Sequence, residues 1–416
     1  MKTPPCRVEK LQWSDRVLCE IALPGGTMVV RSGFGSGLTR RRGDPPGHVW
    51  AVGDRGPNLK VKTAVELYGL DDLASLAGKS DAKLMPRPDI GPELAQLRVS
   101  GDRVELVRTL RIAGPDGVPV SGLPVPGGAH LVAEPAFDLG GAPLPPDPGG
   151  MDTEGVAALR DGGFWVSDEF GPSLARLDSE GRAVVRLIPQ GTGLDAYKAA
   201  PYKVEARLPG IAARRQINRG FEAVAVSEDE SRLYVAFQSP LAHPDEEAHE
   251  KARHVRFLCL NATDAAVIGQ YLYPLDAPES FRRDREKGKF GRSDIKVSEV
   301  AALSGERLLV LERGSETTKI YLVRAEESKA LRPEHLRVET RPSVEEMSGF
   351  DEAFDLPVLG KTLLFSSDEA PEVAADLEGM AILSPTELLL VSDNDFGVEG
   401  AETSFWRLTF AKPVLE

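Results

Sequence analysis

One short pattern recurs along this chain and constrains its fold more than any other feature. A glutamate, a small or branched residue and an alanine are followed by a turn, an apolar run and then polar residues. The pattern occurs as DTEGVAALRDGGFWVSDE (152–169), FEAVAVSEDESRLYVAFQ (221–238), SEVAALSGERLLVLER (298–313) and LEGMAILSPTELLLVSDND (377–395). A weaker fifth copy consists of GFGSGL (33–38) and VWAVGDRGPN (49–58). Self-similarity of this kind marks a repeat architecture, in which one supersecondary unit buries its apolar faces only by stacking on its neighbours.

Each copy reads as a hairpin, because two short apolar segments flank a turn such as Asp161-Gly162-Gly163 or Ser384-Pro385. The apolar runs are continuous rather than alternating, which predicts strands covered on both faces. In the best copy SLARLD (173–178) and AVVRLIP (183–189) follow, and the 221–238 copy continues with VRFLCLN (255–261) and VIGQYLYPL (267–275), giving four strands per unit. Four-stranded antiparallel units arranged radially form a β-propeller. The expectation is therefore an all-β protein, a single propeller domain over 1–416, with 241–253 as a surface insertion whose His243 and His249 are solvated. Six blades are expected, with five to seven allowed, the sixth drawn from 126–145 and 345–370. Pairing of RVLCEIAL (16–23) with SFWRLTF (404–410) would close the ring and remove two exposed edges.

Composition narrows the partners. Lys and Arg total 50 against 64 Asp and Glu, a net charge of −14, and such a surface repels nucleic acid and anionic lipid. No apolar stretch approaches the ~20 residues of a membrane span. Cys6, Cys19 and Cys259 are odd in number and lack Cys-x-x-Cys spacing, which argues against a disulfide framework and a zinc knuckle and for reduced, buried thiols. The amino terminus, MKTPPCRVEKLQW, lacks the apolar stretch of a secretory signal, so the sequence as written reads as cytoplasmic, or as periplasmic or secreted had a leader been removed. A monomer is expected.

Hairpin geometry predicts a site. The first residue of strand one and the last of strand two lie at the same end of a sheet, which pairs Glu154 with Asp168, Glu222 with Gln238, Glu299 with Glu312 and Arg313, and Glu378 with Asp393, Asn394 and Asp395. Radial repetition brings these positions to one mouth of the channel. Like charges gathered there need compensation, and a hard oxygen-loving cation, above all Ca²⁺, suits carboxylate and amide ligands, whereas the absence of His and Cys from the motifs disfavours zinc and copper. Glu154, Glu222, Glu299, Glu378 and Asn394 are the candidate metal ligands, and Asp168, Glu169 and Asp393 the candidate general bases. Arg55, Arg219 and Arg313 are the candidate anion binders, since a guanidinium fork suits phosphate and carboxylate. A structural alternative stands beside each role: the glutamates bonding backbone amides of the next blade, the strand-end acids forming turns, the arginines pairing with neighbouring glutamates. No nucleophile elbow, phosphate-cradling loop or His-Glu-x-x-His occurs.

At these residues the sequence resembles the phytase-like family, described as having esterase-like activity of phytase. The resemblance runs from about Gly33 to Phe396 and rests on GMDTEGVAALRDGGFWVSDEFGPSLARLDSEGR, NRGFEAVAVS followed by QSPL, LLVLERGS, and LEGMAI followed by VSDNDFG, in that order. It implies a propeller fold and hydrolysis of phosphoric or other esters. The leading expectation is a metal-dependent esterase or phosphoesterase acting on a small anionic ester; the alternatives are a non-catalytic ligand- or protein-binding propeller and a calcium-dependent lactonase.

Overall fold

The computed structural model describes residues 3–79, 81–127, 132–349 and 355–415. The chain is mostly strand, and its core is five four-stranded antiparallel blades. Blade 1 comprises Gly37–Thr39, His48–Val52, Glu93–Ser100 and Arg103–Arg111. Blade 2 comprises Thr153–Ala158, Phe164–Asp168, Ser173–Leu177 and Ala183–Pro189, with Lys203–Leu208 added in parallel outside. Blade 3 runs through Phe221–Val226, Arg232–Phe237, His254–Asn261 and Val267–Pro274, and blade 4 through Lys296–Ala302, Arg307–Arg313, Thr318–Arg324 and Lys361–Ser366. Blade 5 takes Leu377–Ser384, Glu387–Ser392 and Phe405–Phe410 from the carboxyl end and Cys6–Leu11 from the amino end. The first strand of each blade contacts the first strand of the next, blades 1 to 5 in order and blade 5 back to blade 1.

The continuous apolar runs are explained by this stacking. Leu309 and Leu311 of blade 4 face Met380, Leu388 and Leu390 of blade 5, while Leu308 and Val310 alternate toward Phe257 and Tyr273 of blade 3. Both faces of an inner strand are thus dry, and each buried aliphatic side chain contributes roughly 1.5–3 kcal/mol over its exposed state.

The blade count falls at the low end of the expected range. The described part of 126–145 yields only Ala136–Phe137, which joins Leu59–Lys60 and Lys83–Leu84 in a small sheet. The described part of 345–370 supplies a short helix and the outer strand of blade 4. The amino-terminal partner of Phe405–Phe410 is also different from the expected one. Cys6–Leu11 pairs with it residue for residue, Val8 opposite Leu408, whereas Val17–Leu23 turns through Pro24-Gly25 and pairs with Gly26–Arg31. Both segments carry apolar residues at alternate positions; the tight turn immediately after Leu23 captures the second of them locally.

In the 241–253 segment Asp245 caps the helix Glu246–Lys251 through the Ala248 amide. Its acidic face is exposed, but His243 and His249 are both 4% exposed, contrary to their expected solvation. His249 Nδ1 contacts the Pro240 carbonyl at 2.7 Å, and burial lowers the pKa of both rings. Cys259 is buried and Cys6 and Cys19 are half-buried, all three as free thiols. Among the described residues no helix is long and apolar enough to cross a membrane.

Candidate metal centre

The site is created by a slip in strand pairing that recurs in four blades. Pairing of the first two strands jumps one residue between Thr153 and Val156, Phe221 and Ala223, Val297 and Glu299, and Leu377 and Gly379. The extra residue at each bulge is Glu154, Glu222, Ser298 or Glu378. Bulges re-aim side chains at sheet ends, and here they turn the extra side chain toward the channel mouth. One residue beyond the opposite strand's partner come Glu169, Gln238, Arg313 and Asp393, and in blade 1 Asp54 stands two residues beyond Val52, the partner of Gly37. Three members of the first set and all five of the second line one polar pocket of about 120 Å³, with Arg55, Lys83, Lys296 and Asp395.

Glu299 is displaced from its expected place. The bulge puts Ser298 where the other blades have glutamate, and Glu299 falls in register with Gly155, Ala223 and Gly379, facing the channel interior. The inner strands come so close there that a Cβ on Gly37 would lie 2.5 Å from the Glu154 carbonyl oxygen. The Glu299 carboxylate fills the remaining space, accepting the amides of Leu38 at 2.9 Å and Val300 at 3.0 Å, with that of Met380 beside them. Burial raises its pKa well above the usual carboxylate range against the pull of those amides. It plugs the channel beneath the pocket and does not line it.

Glu154 and Glu169 line the pocket and Asp152 lies fully buried beside them; the three carboxylates each offer an oxygen, all within 4.8 Å of one another, so that they can hold a metal ion. Burial and the surrounding Asp152, Glu222, Glu169 and Asp54 push the Glu154 pKa well up. Glu169 is likewise raised by burial, Asp152 and Glu222, with Arg55 opposing. Its Oε1 is buried without a hydrogen-bond partner among the described residues. A buried acceptor left unpaired costs about 1–3 kcal/mol, and a cation is the partner whose chemistry fits three converging carboxylates.

Arg55 is the counter-ion of this wall. Its Nη1 donates to Glu134 at 2.7 Å and its Nη2 to the Asn218 side chain at 2.7 Å, and it pairs closely with Asp152 and at 3.5 Å with Glu169. Burial works against its charge, but Asp152, Glu134 and Glu169 outweigh that and hold it protonated. Arg313 pairs closely with Glu378, donates to Asp376 at 2.8 Å and braces Ser298 at 2.8 Å. Arg219 lies outside the pocket, in an adjoining cleft, with its guanidinium on the Ser293 carbonyl.

The remaining expected residues divide. Glu222 lines the pocket and accepts from Gln238 at 2.6 Å and Ser298 at 3.3 Å. Asp393 lines it too, and burial with Asp395 lifts its pKa to about 7. Asp168 sits behind the wall: one oxygen accepts the Asp152 amide at 2.8 Å, the other Ser173 at 2.6 Å and the fully buried Arg186. Asn394 is fully buried in its own loop, donating to Asp15 and the Ser32 carbonyl and accepting from Phe396. Sequence reading passed over Asp152, which the motif itself displays two residues before Glu154, and Glu134, which lies outside every repeat and carries no sequence signal.

The phytase-like family profile, described as esterase-like activity of phytase, matches residues 31–396. An uncharacterized secreted protein of Arthroderma benhamiae is 27% identical over 320 residues, 68% of this chain and 59% of that protein, so the chain spans less than two thirds of that relative. Among solved structures, the β-propeller domain of Cps50 (Swd1) from Myceliophteria thermophila aligns at TM-score 0.34 with 10% identity over 94% of this chain and 99% of that one. Virginiamycin B lyase of Staphylococcus aureus aligns at TM-score 0.33 with 10% identity over 98% and 100%. Since the profile spans nearly the whole repeat region, from the strand before blade 1 to the loop that carries Asp395, the chain belongs to the phytase-like family.

Proposed function

We propose that this protein is a calcium-dependent esterase or phosphoesterase acting on a small anionic ester at the channel mouth. The observation that carries the reading is the carboxylate triad Asp152, Glu154 and Glu169, with the buried Glu169 Oε1 lacking a hydrogen-bond partner among the described residues. These three residues would hold the ion, with Glu222 beside them. Calcium bound there supplies the countercharge for the cluster and polarises an ester oxygen.

Asp393 is the general base in this reading. It faces the pocket, its Oδ1 accepts the Asn394 amide at 2.9 Å, and a carboxylate titrating at about 7 can take a proton near neutrality. Asp168 is left out of the role because both its oxygens are engaged by groups behind the wall. Arg55 orients Asp152 and opposes the burial that raises its pKa, while Arg313 holds Glu378 in place. The secreted relative is compatible with a site of the modest calcium affinity typical of extracellular modules.

Metal analysis of the purified protein, joined to hydrolysis of chromogenic phosphate, carboxylate and lactone esters with and without calcium, tests the proposal. Calcium-dependent turnover lost in Asp393→Asn supports it. Stoichiometric calcium without turnover of any ester would make the protein a binding propeller, and preference for lactones would change the substrate class.

A further inference from the structure

A second cleft, about 640 Å³, opens beside the metal pocket and shares Lys83, Asn218, Gln238 and Lys296 with it. Its chemistry is the reverse of its neighbour's. Lys60, Lys62, Lys79, Lys83, Arg219 and Lys296 line it, in a protein whose net charge is −14. Lys60, Lys62, Lys79 and Lys83 come from the excursion between the second and third strands of blade 1, and Arg219 and Lys296 from the segments leading into blades 3 and 4.

These cations are largely uncommitted. Among the described residues only Lys62 has a carboxylate within 4.0 Å, the exposed Glu66 at 3.7 Å. Lys79 stands over the Phe137 ring at 4.8 Å, Lys83 donates to Asn58 at 3.2 Å, and Arg219 donates to a backbone carbonyl. Six cations gathered in one cleft, five of them with no carboxylate of the described residues within 4.0 Å, repel one another, and an anion relieves that repulsion. Asp81, Glu246 and Glu250 also line the cleft, three acids against six cations, so that its lining stays positive.

We infer that this lysine cleft binds a second anionic group of the substrate, a phosphate, sulfate or carboxylate carried away from the bond that is broken. The inference rests on the metal-dependent esterase reading for the position of that bond. Lys83 and Lys296 stand at the junction, so that one molecule can place its reacting ester among the acids and its remote anion among the lysines. The cleft is then the specificity determinant: it selects esters bearing two anionic groups over those bearing one.

The test uses full-length protein, freed of metal and then of chelator, titrated with inorganic pyrophosphate in a calorimeter at low salt. Saturable binding is expected, weakened about tenfold in Lys60→Gln/Lys79→Gln, two exposed residues outside the metal pocket, and undiminished in Glu154→Gln. No saturable binding to the wild type, or equal binding by the double variant, would overturn the inference. In turnover, the double variant should raise KM for a dianionic ester and leave a monoanionic one unchanged; an equal effect on both would also overturn it. Normal pyrophosphate binding with no turnover of any ester would instead count against the esterase reading and leave the anion site standing.

Discussion

The Glu299 carboxylate in blade 4 accepts the Leu38 amide of blade 1 at 2.9 Å, across two blades that are not neighbours in the ring. That contact makes Glu299 a keystone of the channel and separates its role from that of the glutamates above it. Glu299→Ala leaves buried amides without an acceptor and should lower stability by on the order of 3 kcal/mol, with Glu299→Gln milder because one acceptor oxygen remains. Urea unfolding should give the same loss with and without calcium. A calcium-dependent loss would place Glu299 among the metal ligands instead.

Arg55 neutralises Asp152, Glu134 and Glu169 in the pocket wall. Arg55→Met should therefore cost about 3–5 kcal/mol, the cost of leaving buried charge uncompensated, and saturating calcium should restore part of it. Denaturant titrations of the variant in both conditions check this. No recovery on adding calcium would mean that the ion does not share the field of these acids.

The pH dependence follows from raised carboxyl pKa values. Burial lifts Asp393 from its ordinary 3.8 to about 7 and lifts Glu154 and Glu169 in the same direction, so above about pH 4 the folded metal-free protein holds more protons than the unfolded chain. Stability contributed by these groups is present below that pH and is lost as pH rises through about 7. Metal-free protein should thus unfold at lower urea at about pH 8 than at about pH 5, while calcium, which competes with those protons, binds more tightly at the higher pH. Equal midpoints in metal-free buffer would contradict the raised values.

Removing the residues before Gln12 should destabilise the whole protein. It strips Cys6–Leu11 from blade 5 and exposes the backbone edge of Phe405–Phe410, with the buried Leu11 alone contributing about 1.5–3 kcal/mol. Melting at the temperature of the intact protein would contradict the terminal pairing.

The hairpins, the four-strand unit and the gathering of acids were legible in the sequence because each rests on local pattern. Register was not. SEVAAL offers both Ser298 and Glu299 as the match to Glu154, and only the strand pairing, which puts Val297 opposite Glu312, decides for Ser298. The same one-residue ambiguity exchanged Asp168 for Glu169 as the acid facing the pocket. Two segments of similar apolar pattern competed for the edge of blade 5, and the turn at Pro24-Gly25 settled the choice. Glu134 and the lysines of the 59–84 excursion lie outside the repeats, where only tertiary structure brings them to the site.

The most direct test of the central claim is a calcium titration of metal-free wild type and Glu154→Gln, read as heat of binding and as melting temperature. The wild type should bind calcium at one saturable site and gain about 2.7 kcal/mol of stability at a hundredfold excess over Kd, by mass action. The variant should fold, lose most of that affinity and show little calcium-dependent shift. A wild type that neither takes up calcium nor changes its melting temperature would contradict the claim and leave Asp152, Glu154 and Glu169 as a cluster stabilised by Arg55 alone.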